Sequence, residues 1–389
     1  MNKIVILRYL ACDESVEYLF SLKNLLNLGY EIEYLNVSAI TTKEKGISYK
    51  VEGVKYFDIY SYKELKEYIK EQNLKNTIFI PYMIYFAKTY RCFYLLSLYR
   101  CTVCYFVTGF FPLVLDKSIN QKIKMFIKKP LKVLNSVCLA LFVSLLKKTL
   151  FIKSADILFY SGLMANLEEY KISNKTLICP FNSADYQRYF LSLTNSDVIF
   201  SNRKYMVFID QYIPFHPDFN IAGYDKIDAE RYFNKINSFF SLIETKYNLD
   251  IIIAAHPKAE KYKQQNYFEG REVYFGQVNQ LIKYSQSVIL HFSTALSMAI
   301  LHNKPCIFIS DSLFLKNIPY AHQYIQHFSS ILDANYYCLD TVKDVTIKNV
   351  CLDKYSKYKN NYLFNIETEE IDNSISISNG INRVLNNIK

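Results

Sequence analysis

The sequence predicts an α/β protein built from two parallel-sheet domains, and three observations support this. The chain has 389 residues, a length that suits two domains of ordinary size. Hydrophobic residues make up 51% of it and charged residues 21%, so a sizeable buried core is expected. Short apolar runs alternate with helical patterns along most of the sequence. This alternation is typical of parallel sheets whose strands are joined by helices.

The first predicted domain covers residues 1–195 and is Rossmann-like. It opens with a short apolar strand, followed by polar residues and a helical pattern that runs to about Gly29. Its strand candidates are residues 3–7, 31–37, 77–81, 102–108, 156–160 and 176–179.

A Lys-rich apolar region at 117–153 interrupts this pattern. It contains nine lysines and no acidic residue, and a run of fourteen mostly apolar residues lies between Lys132 and Lys147. That run is too short for a spanning helix, which needs about 20 residues. Lysines that flank an apolar helix favour an interfacial helix at an anionic membrane. A buried helix with solvated ends is the alternative.

A polar stretch at 192–204 predicts a linker, and a second α/β series follows it over 204–330. Its strands are predicted at 205–209, 250–255, 287–290 and 305–309, and its helices at 225–247, 278–284 and 294–302. Residues 331–389 are interpreted as a C-terminal extension that packs back on the domains and ends in a helix at 374–389. A cleft between the two domains is the expected place for a ligand.

Composition excludes several classes of function. There are only nine glycines, and none are spaced as in a dinucleotide fingerprint, a P-loop or a kinase Gly-rich loop. The net charge of +10 is too modest and too uneven to indicate nucleic-acid binding. Nine scattered cysteines and the lack of a secretory leader favour a cytoplasmic protein with reduced thiols. Cys101 and Cys104 form one CxxC, which is read as two core cysteines because no second pair completes a zinc site.

Candidate site residues follow the predicted strands of the second domain, where ligands bind in open α/β sheets. The loop after 205–209 carries Asp210 and Asp218 beside a histidine, a combination suited to general-base chemistry or to capping a helix. Strand 250–255 ends in His256-Pro257-Lys258, in which the imidazole can donate to a phosphate and the lysine adds positive charge.

Two further stretches complete the predicted site. Strand 287–290 is followed by His291 and then by Ser293 and Thr294 at the start of a helix, which predicts a phosphate site or simple N-capping. Gly276 and Gln277 precede a short helix, where backbone groups could contact a nucleotide base.

These motifs resemble a known family. A strand with His-Pro, followed some thirty-five residues later by a strand, Ser/Thr and a helix, looks like the nucleotide-binding domain of GT-B glycosyltransferases. It is similar, more narrowly, to bacterial sialyltransferases and to transferases of Kdo and other nonulosonic acids. The resemblance covers residues 204–311. It implies two Rossmann-like domains facing a central cleft, with CMP held by His256, Pro257, Lys258, Ser293 and Thr294.

The resemblance also implies an inverting transfer from a CMP-activated sugar to a surface glycan, such as lipooligosaccharide, O-antigen or capsule. A carboxylate would take the acceptor's proton, and His256 would assist the departing CMP. Asp218, Asp210 and Asp13 are the candidates for the base, in that order, and none sits in the family's acidic motif. No metal is required by this scheme.

The expected partners are a nucleotide-sugar donor, a glycan or glycolipid acceptor and an anionic membrane surface, without nucleic acid. This places the protein on the inner face of a bacterial inner membrane. Three alternatives remain: a transferase that uses CDP-glycerol, one that uses a UDP-sugar, and a non-catalytic protein of the same fold in polysaccharide assembly.

Overall fold

A computed structural model describes residues 2–42, 49–108, 151–193, 200–217 and 227–388, together with residues 134, 137–139, 141–142 and 144–145. The chain forms two compact units. Among the described residues, unit 1 contains those up to 190 and those from 360 onward, and unit 2 contains those from 191 to 359. The predicted extension at 331–389 is therefore divided, because its first part belongs to unit 2 and its last thirty residues belong to unit 1.

Unit 1 is organised around a seven-stranded sheet in the order β3-β2-β1-β4-β5-β6-β7. Every pair of neighbours in it is parallel. The strands are β1 Lys3–Arg8, β2 Glu31–Asn36, β3 Lys55–Asp58, β4 Thr77–Pro81, β5 Thr102–Thr108, β6 Ile157–Ser161 and β7 Leu177–Pro180. Strand β3 was not predicted, because three of its four residues are exposed or charged and it forms the edge of the sheet.

The helices of unit 1 cover both faces of this sheet. They are α1 Glu14–Phe20, α2 Leu22–Asn27, α3 Tyr62–Glu71, α4 Tyr90–Leu98, α5 Ala184–Leu193 and, from the end of the chain, α12 Asn373–Ile388. Two separate apolar clusters result, one on each face. Ile377, Ile381 and Leu385 of α12 lie in the same cluster as Phe159 and Cys179, so α12 packs on the β6 and β7 side of one face of the N-terminal sheet.

Unit 2 has a six-stranded parallel sheet in the order β10-β9-β8-β11-β12-β13. The strands are β8 Tyr205–Ile209, β9 Asp250–Ala255, β10 Val273–Phe275, β11 Val288–Leu290, β12 Cys306–Ser310 and β13 Asn335–Cys338. In chain order within the unit this arrangement is 3-2-1-4-5-6, the order of a doubly wound nucleotide-binding fold. The strand order reverses between β8 and β11.

The α-helices described in this unit are α6 Ala229–Tyr247, α7 Val278–Tyr284, α8 Leu296–Leu301, α9 Ser312–Asn317, α10 Pro319–Ile331 and α11 Leu352–Tyr362. Helix α6 begins where Asp228 accepts a hydrogen bond from the Arg231 N–H at 2.7 Å. Its apolar residues recur at helical spacing and are buried, which explains why this helix was predictable from the sequence.

The CxxC cysteines behave as core residues. Cys101 and Cys104 are both buried, and they belong to the clusters on opposite faces of the unit 1 sheet. Residues three apart along a strand point to opposite faces, so these two thiols cannot share one metal ion. All nine cysteines are free thiols.

The interfacial-helix prediction for 117–153 falls largely outside the described residues. The described part between 134 and 145 is helical, and its large apolar side chains are exposed, from 43% at Leu139 to 66% at Leu141. The buried-helix alternative does not fit these side chains. None of the helices in the described part of the chain is long and apolar enough to cross a membrane.

Candidate functional site in unit 2

The predicted motifs of unit 2 meet at one edge of its sheet. Parallel register aligns Ala255 of β9 with Phe275 of β10, and aligns Ile209 of β8 with Ala254 of β9 and Leu290 of β11. The residues that follow these strands therefore emerge side by side at the carboxyl edge. Ligands bind at this edge in doubly wound folds, at the point where the strand order reverses.

His256 lies in a turn immediately after β9. Its Nδ1 accepts a hydrogen bond from the Lys258 N–H at 3.1 Å, so the neutral ring carries its proton on Nε2. Its carbonyl accepts from the Ala259 N–H at 2.9 Å, which closes the turn around Pro257. Pro257 and Lys258 are exposed. The turn thus presents an N–H donor and an ammonium group at the sheet edge, the groups an anion requires.

The loop after β8 brings a second histidine to this turn. The His216 and His256 rings have centroids 4.8 Å apart and are nearly perpendicular. Lys261 lies 4.0 Å above the Phe215 ring, so the loop from β8 and the segment after β9 also contact each other through a cation–π pair.

Asp210 is not placed as an accessible general base. Its side chain is 2% exposed, and its carboxylate accepts hydrogen bonds from the Tyr212 N–H at 3.0 Å and the Tyr262 hydroxyl at 3.2 Å. Burial raises the pKa of this carboxyl to about 7, although backbone N–H groups, including that of His256, pull the pKa back down. Asp210 is therefore hydrogen-bonded within the protein to the loop after β8, to Tyr262 and to the His256 backbone.

His291, which sequence analysis predicted at the nucleotide, is buried in the structure. The ring is fully buried, its Nδ1 donates to the Ile309 carbonyl at 2.7 Å, and its Nε2 accepts from the Tyr232 hydroxyl at 3.0 Å. Burial lowers the pKa of this imidazole to about 4, so it is neutral at neutral pH. Both ring nitrogens thus form hydrogen bonds within the protein, and these bonds connect the end of β11 to β12 and to α6.

Ser293 and Thr294 lie in the turn after β11, as predicted. The Ser293 Oγ accepts from the Ala295 N–H at 3.2 Å, which leaves its hydroxyl hydrogen as a donor. Thr294 is exposed. Helix α8 begins two residues later than predicted and has only six residues, so the two hydroxyls, rather than a helix dipole, are the groups available to an anion.

Gly276 and Gln277 lie after the edge strand β10 and are exposed. Gly276 has a φ of +73°, a left-handed conformation that glycine adopts without strain. No side chain caps helix α7 at Gln277. The two residues belong to the same sheet edge as His256, one strand further out.

The remaining two carboxylate candidates are Asp218 and Asp13. Asp218 lies outside the described residues. Asp13 belongs to unit 1, where it caps α1 by accepting from the Val16 N–H at 3.2 Å and pairs with Arg8 at 2.7 Å. Its pKa lies below the usual value because hydrogen bonds from Ser15 and Arg8 outweigh the effect of burial.

Sequence reasoning missed two residues that organise the site. The Gln211 side-chain carbonyl accepts from the Phe292 N–H at 2.9 Å, and so it joins the loops after β8 and β11 where the strand order reverses. Tyr262 supports Asp210 from a short 3₁₀ turn fifty-two residues further along the chain. Gln211 stood within a motif already singled out, whereas Tyr262 carried no sequence signal.

Comparison with solved structures agrees with this architecture across the whole chain. The S. aureus MnaA structure with UDP aligns with a TM-score of 0.50 at 14% identity, over 99% of this chain and 97% of that one. The chain has the GT-B fold. Other matches are the Methanocaldococcus jannaschii UDP-GlcNAc 2-epimerase (TM-score 0.47, 13% identity, 97% and 98% covered) and the calicheamicin glycosyltransferase CalG4 (TM-score 0.43, 8% identity, 100% and 97% covered). No family model and no curated protein sequence matches the chain.

Proposed function

We propose that this GT-B protein is a glycosyltransferase whose nucleotide-activated donor binds at the carboxyl edge of the unit 2 sheet. One observation supports the proposal most directly. The His256 turn and the Ser293–Thr294 turn follow the two strands that flank β8, so donors for an anion lie on both sides of the central strand. A diphosphate or monophosphate bridging these turns would occupy the usual ligand position of the fold.

The residues suggest how leaving-group charge would be stabilised. The His256 Nε2–H would donate to a phosphate oxygen, the Lys258 ammonium would offset its charge, and the Ser293 and Thr294 hydroxyls would add donors. These interactions strengthen as negative charge develops on the departing nucleotide, which is the condition for accelerating the transfer. Asp210 would hold the His256 turn in place without contacting the substrate.

The donor we propose is a CMP-activated sugar of the sialic acid or Kdo type, as the His-Pro and Ser-Thr motifs suggest, and a surface glycan or glycolipid is its proposed acceptor. Asp218 is the proposed base that deprotonates the acceptor hydroxyl. A UDP-sugar is the second candidate, favoured by the UDP bound to MnaA, the protein whose fold this chain shares at a TM-score of 0.50. We also propose a peripheral location at an anionic membrane.

Nucleotide binding tests the site. The thermal unfolding midpoint of the purified protein is measured with CMP, CDP, UDP, GDP and without nucleotide, since a ligand specific for the folded state raises the midpoint. CMP is expected to give the largest shift. His256→Ala is expected to remove that shift, whereas His327→Ala, on helix α10, serves as the matched control and should retain it.

The outcomes separate the candidates. A larger shift with UDP would replace the CMP donor but retain the glycosyltransferase, and a shift with CDP alone would favour a glycerophosphotransferase. A nucleotide shift that survives His256→Ala would show that the site lies elsewhere. Binding without sugar transfer to any glycan acceptor would favour the non-catalytic assembly protein.

A further inference from the structure

Unit 1 contains two adjoining cavities that the proposed donor site does not use. Each has a volume of about 390 Å³, within the range of small-molecule sites. Both are lined by Tyr62, Tyr90 and Arg91. We call them the polar cavity and the apolar cavity. The polar cavity also includes Thr41, Thr42 and Lys88, and the apolar cavity also includes Tyr94, Leu95, Phe151 and Ile152.

The polar cavity lies at the carboxyl side of the unit 1 sheet. Ile40 and Thr41 follow β2, and Lys88 lies between β4 and the start of α4. The Tyr62 hydroxyl donates to the Ile40 carbonyl at 3.1 Å, and the Arg91 guanidinium lies 5.3 Å from the centroid of the Tyr62 ring. The shared wall is therefore held in place by contacts from two loops and two helices.

Two cations mark the polar cavity. Lys88 and Arg91 are both exposed, and in the described part of the chain neither forms an ion pair with a carboxylate. Proximity to the Tyr90 hydroxyl, which hydrogen-bonds the Arg91 Nε at 3.4 Å, raises the pKa of Arg91 further. A positive charge of this kind suits an anionic group such as a phosphate.

The apolar cavity is lined mainly by aromatic and aliphatic side chains. Tyr94 and Phe151 are 38% and 62% exposed, although both are large side chains. Beyond the cavity, the Tyr90 ring meets Phe142 at a centroid distance of 6.0 Å, and Phe142 neighbours the exposed Leu141. Exposed apolar side chains thus line the cavity that shares Arg91 with the polar cavity, and Phe142 contacts Tyr90 of the shared wall.

We infer that these cavities bind a single lipid phosphate, with the phosphate at Lys88 and Arg91 and the hydrocarbon chain along Tyr94, Phe151 and Phe142. This inference rests on the proposed function, because such a molecule is the acceptor or acceptor carrier in unit 1. A sugar alone would leave the apolar cavity unfilled, and a hydrocarbon alone would leave the two cations without an anionic partner from the ligand. A ligand with both a phosphate and a hydrocarbon chain would contact both cavities.

Binding of farnesyl phosphate to the full-length protein tests the inference by titration calorimetry. Farnesol, which lacks the charge, and inorganic phosphate, which lacks the chain, are the matched ligands. Farnesyl phosphate is expected to bind at least tenfold more tightly than either. Arg91→Gln and Tyr94→Ser should each weaken it at least tenfold. Lys66→Gln, which removes the same charge from the exposed side of α3, should leave binding unchanged.

Several outcomes would overturn the inference. If farnesol bound as tightly as farnesyl phosphate, the protein would have no phosphate site in these cavities. If Lys66→Gln weakened binding as much as Arg91→Gln, the effect would reflect the overall charge of the protein and not a specific contact. Binding to anionic phosphatidylglycerol vesicles is measured as a further comparison. If the vesicles bind the protein while free farnesyl phosphate does not, the two cavities face a bilayer and do not hold a single lipid. The change of the unfolding midpoint with nucleotide is measured separately from the binding of farnesyl phosphate. The lipid-phosphate inference can therefore be tested even if the proposed nucleotide donor is wrong.

Discussion

Two buried ionisable residues in unit 2 set opposite responses of stability to pH. Asp210 has a folded-state pKa near 7, well above the value of an exposed carboxyl, and His291 has one near 4, well below that of an exposed imidazole. Both shifts arise from burial, which disfavours the charged form of either group. The charged form is the deprotonated form of Asp210 but the protonated form of His291. The two residues therefore change the stability in opposite directions as the pH rises.

Asp210→Asn is expected to change the pH dependence of unfolding. Between about pH 4 and pH 7 the folded protein retains a proton that the unfolded chain releases, so Asp210 lowers stability progressively as the pH rises. The free energy of unfolding of the wild type minus that of the variant should therefore fall across this window, by an amount on the order of a few kcal/mol. Urea titrations at several pH values measure it, and a flat difference would contradict the assigned pKa.

His291→Asn is expected to show the reverse slope. The folded protein excludes a proton that the unfolded chain binds below about pH 6.5, so the contribution of His291 is present above that pH and is lost as the pH falls towards 4. The variant retains a donor for the Ile309 carbonyl but loses the acceptor for Tyr232, which costs roughly 1–3 kcal/mol at neutral pH. Equal slopes in the two variants would show that a shared conformational change, rather than these groups, is being measured.

At the scale of elements, the contact between α12 and β6 is closely packed. Gly380 lies on the buried face of α12, and an added Cβ would stand 2.6 Å from the Phe159 Cζ. Phe159 is fully buried and stacks on Phe106, so it cannot move aside without disturbing the sheet. Close approach of helix and strand therefore requires glycine here, despite its poor helix propensity.

Gly380→Ala is accordingly expected to destabilise unit 1 by about 1–3 kcal/mol, the usual effect of overpacking. Its control is Asn379→Ala on the exposed side of the same helix, where the higher helix propensity of alanine should give a small gain. Chemical denaturation of the two variants measures both effects. A stabilised Gly380→Ala would mean that α12 is not seated against Phe159 as described.

The elements that sequence analysis predicted and those it missed differ in burial. Buried strands such as β5, β8 and β9 form unbroken apolar runs, and their bounds agree with prediction to within a residue. The missed strands β3, β10 and β13 contain no fully buried residue and lie at or next to sheet edges, so no apolar run marks them. Helix α10 was missed for a different reason. Tyrosines and histidines lie between its buried residues Ala321, Ile325 and Phe328, so its apolar residues do not form a clear helical pattern.

The candidate site was predictable only in part. The positions of His256, Ser293 and Thr294 follow from the rule that parallel strands end at one edge. Whether a side chain there is covered depends on distant residues: Tyr232 and Ile309 enclose His291, and Tyr262 encloses Asp210. These contacts come from residues distant in the chain, so the local sequence did not indicate that the predicted nucleotide ligand His291 and the predicted base Asp210 are buried.

At the scale of the whole molecule, unit 1 depends on both ends of the described chain. The start of α12 and the segment before it contribute hydrogen bonds: the Asn373 side chain donates to the buried Leu19 and Asn182 carbonyls, and Asn365 donates to the Tyr160 carbonyl. Removing residues 360–389 should therefore expose the apolar cluster around Phe159. Unit 2, which comprises the described residues from 191 to 359, should retain its fold although α11 loses its last three residues.

Hydrogen–deuterium exchange on that truncated protein checks the prediction. Amides of β1, β4 and β6 should exchange far faster than in the full-length protein, whereas amides of β8, β9 and β11 should keep their protection. Loss of protection throughout would contradict the assignment of separate cores. The nucleotide shifts proposed for unit 2 should also survive truncation.

The return of α12 to unit 1 has a consequence for biosynthesis. A ribosome releases the N-terminal strands first, yet α12, which packs against β6 and β7, is translated only after all of unit 2. Part of the apolar face of the nascent N-terminal sheet therefore stays uncovered throughout that interval, during which it is open to chaperones and to aggregation. Codon changes that slow translation between residues 200 and 360 would lengthen that exposure and lower the soluble yield without altering a single amino acid.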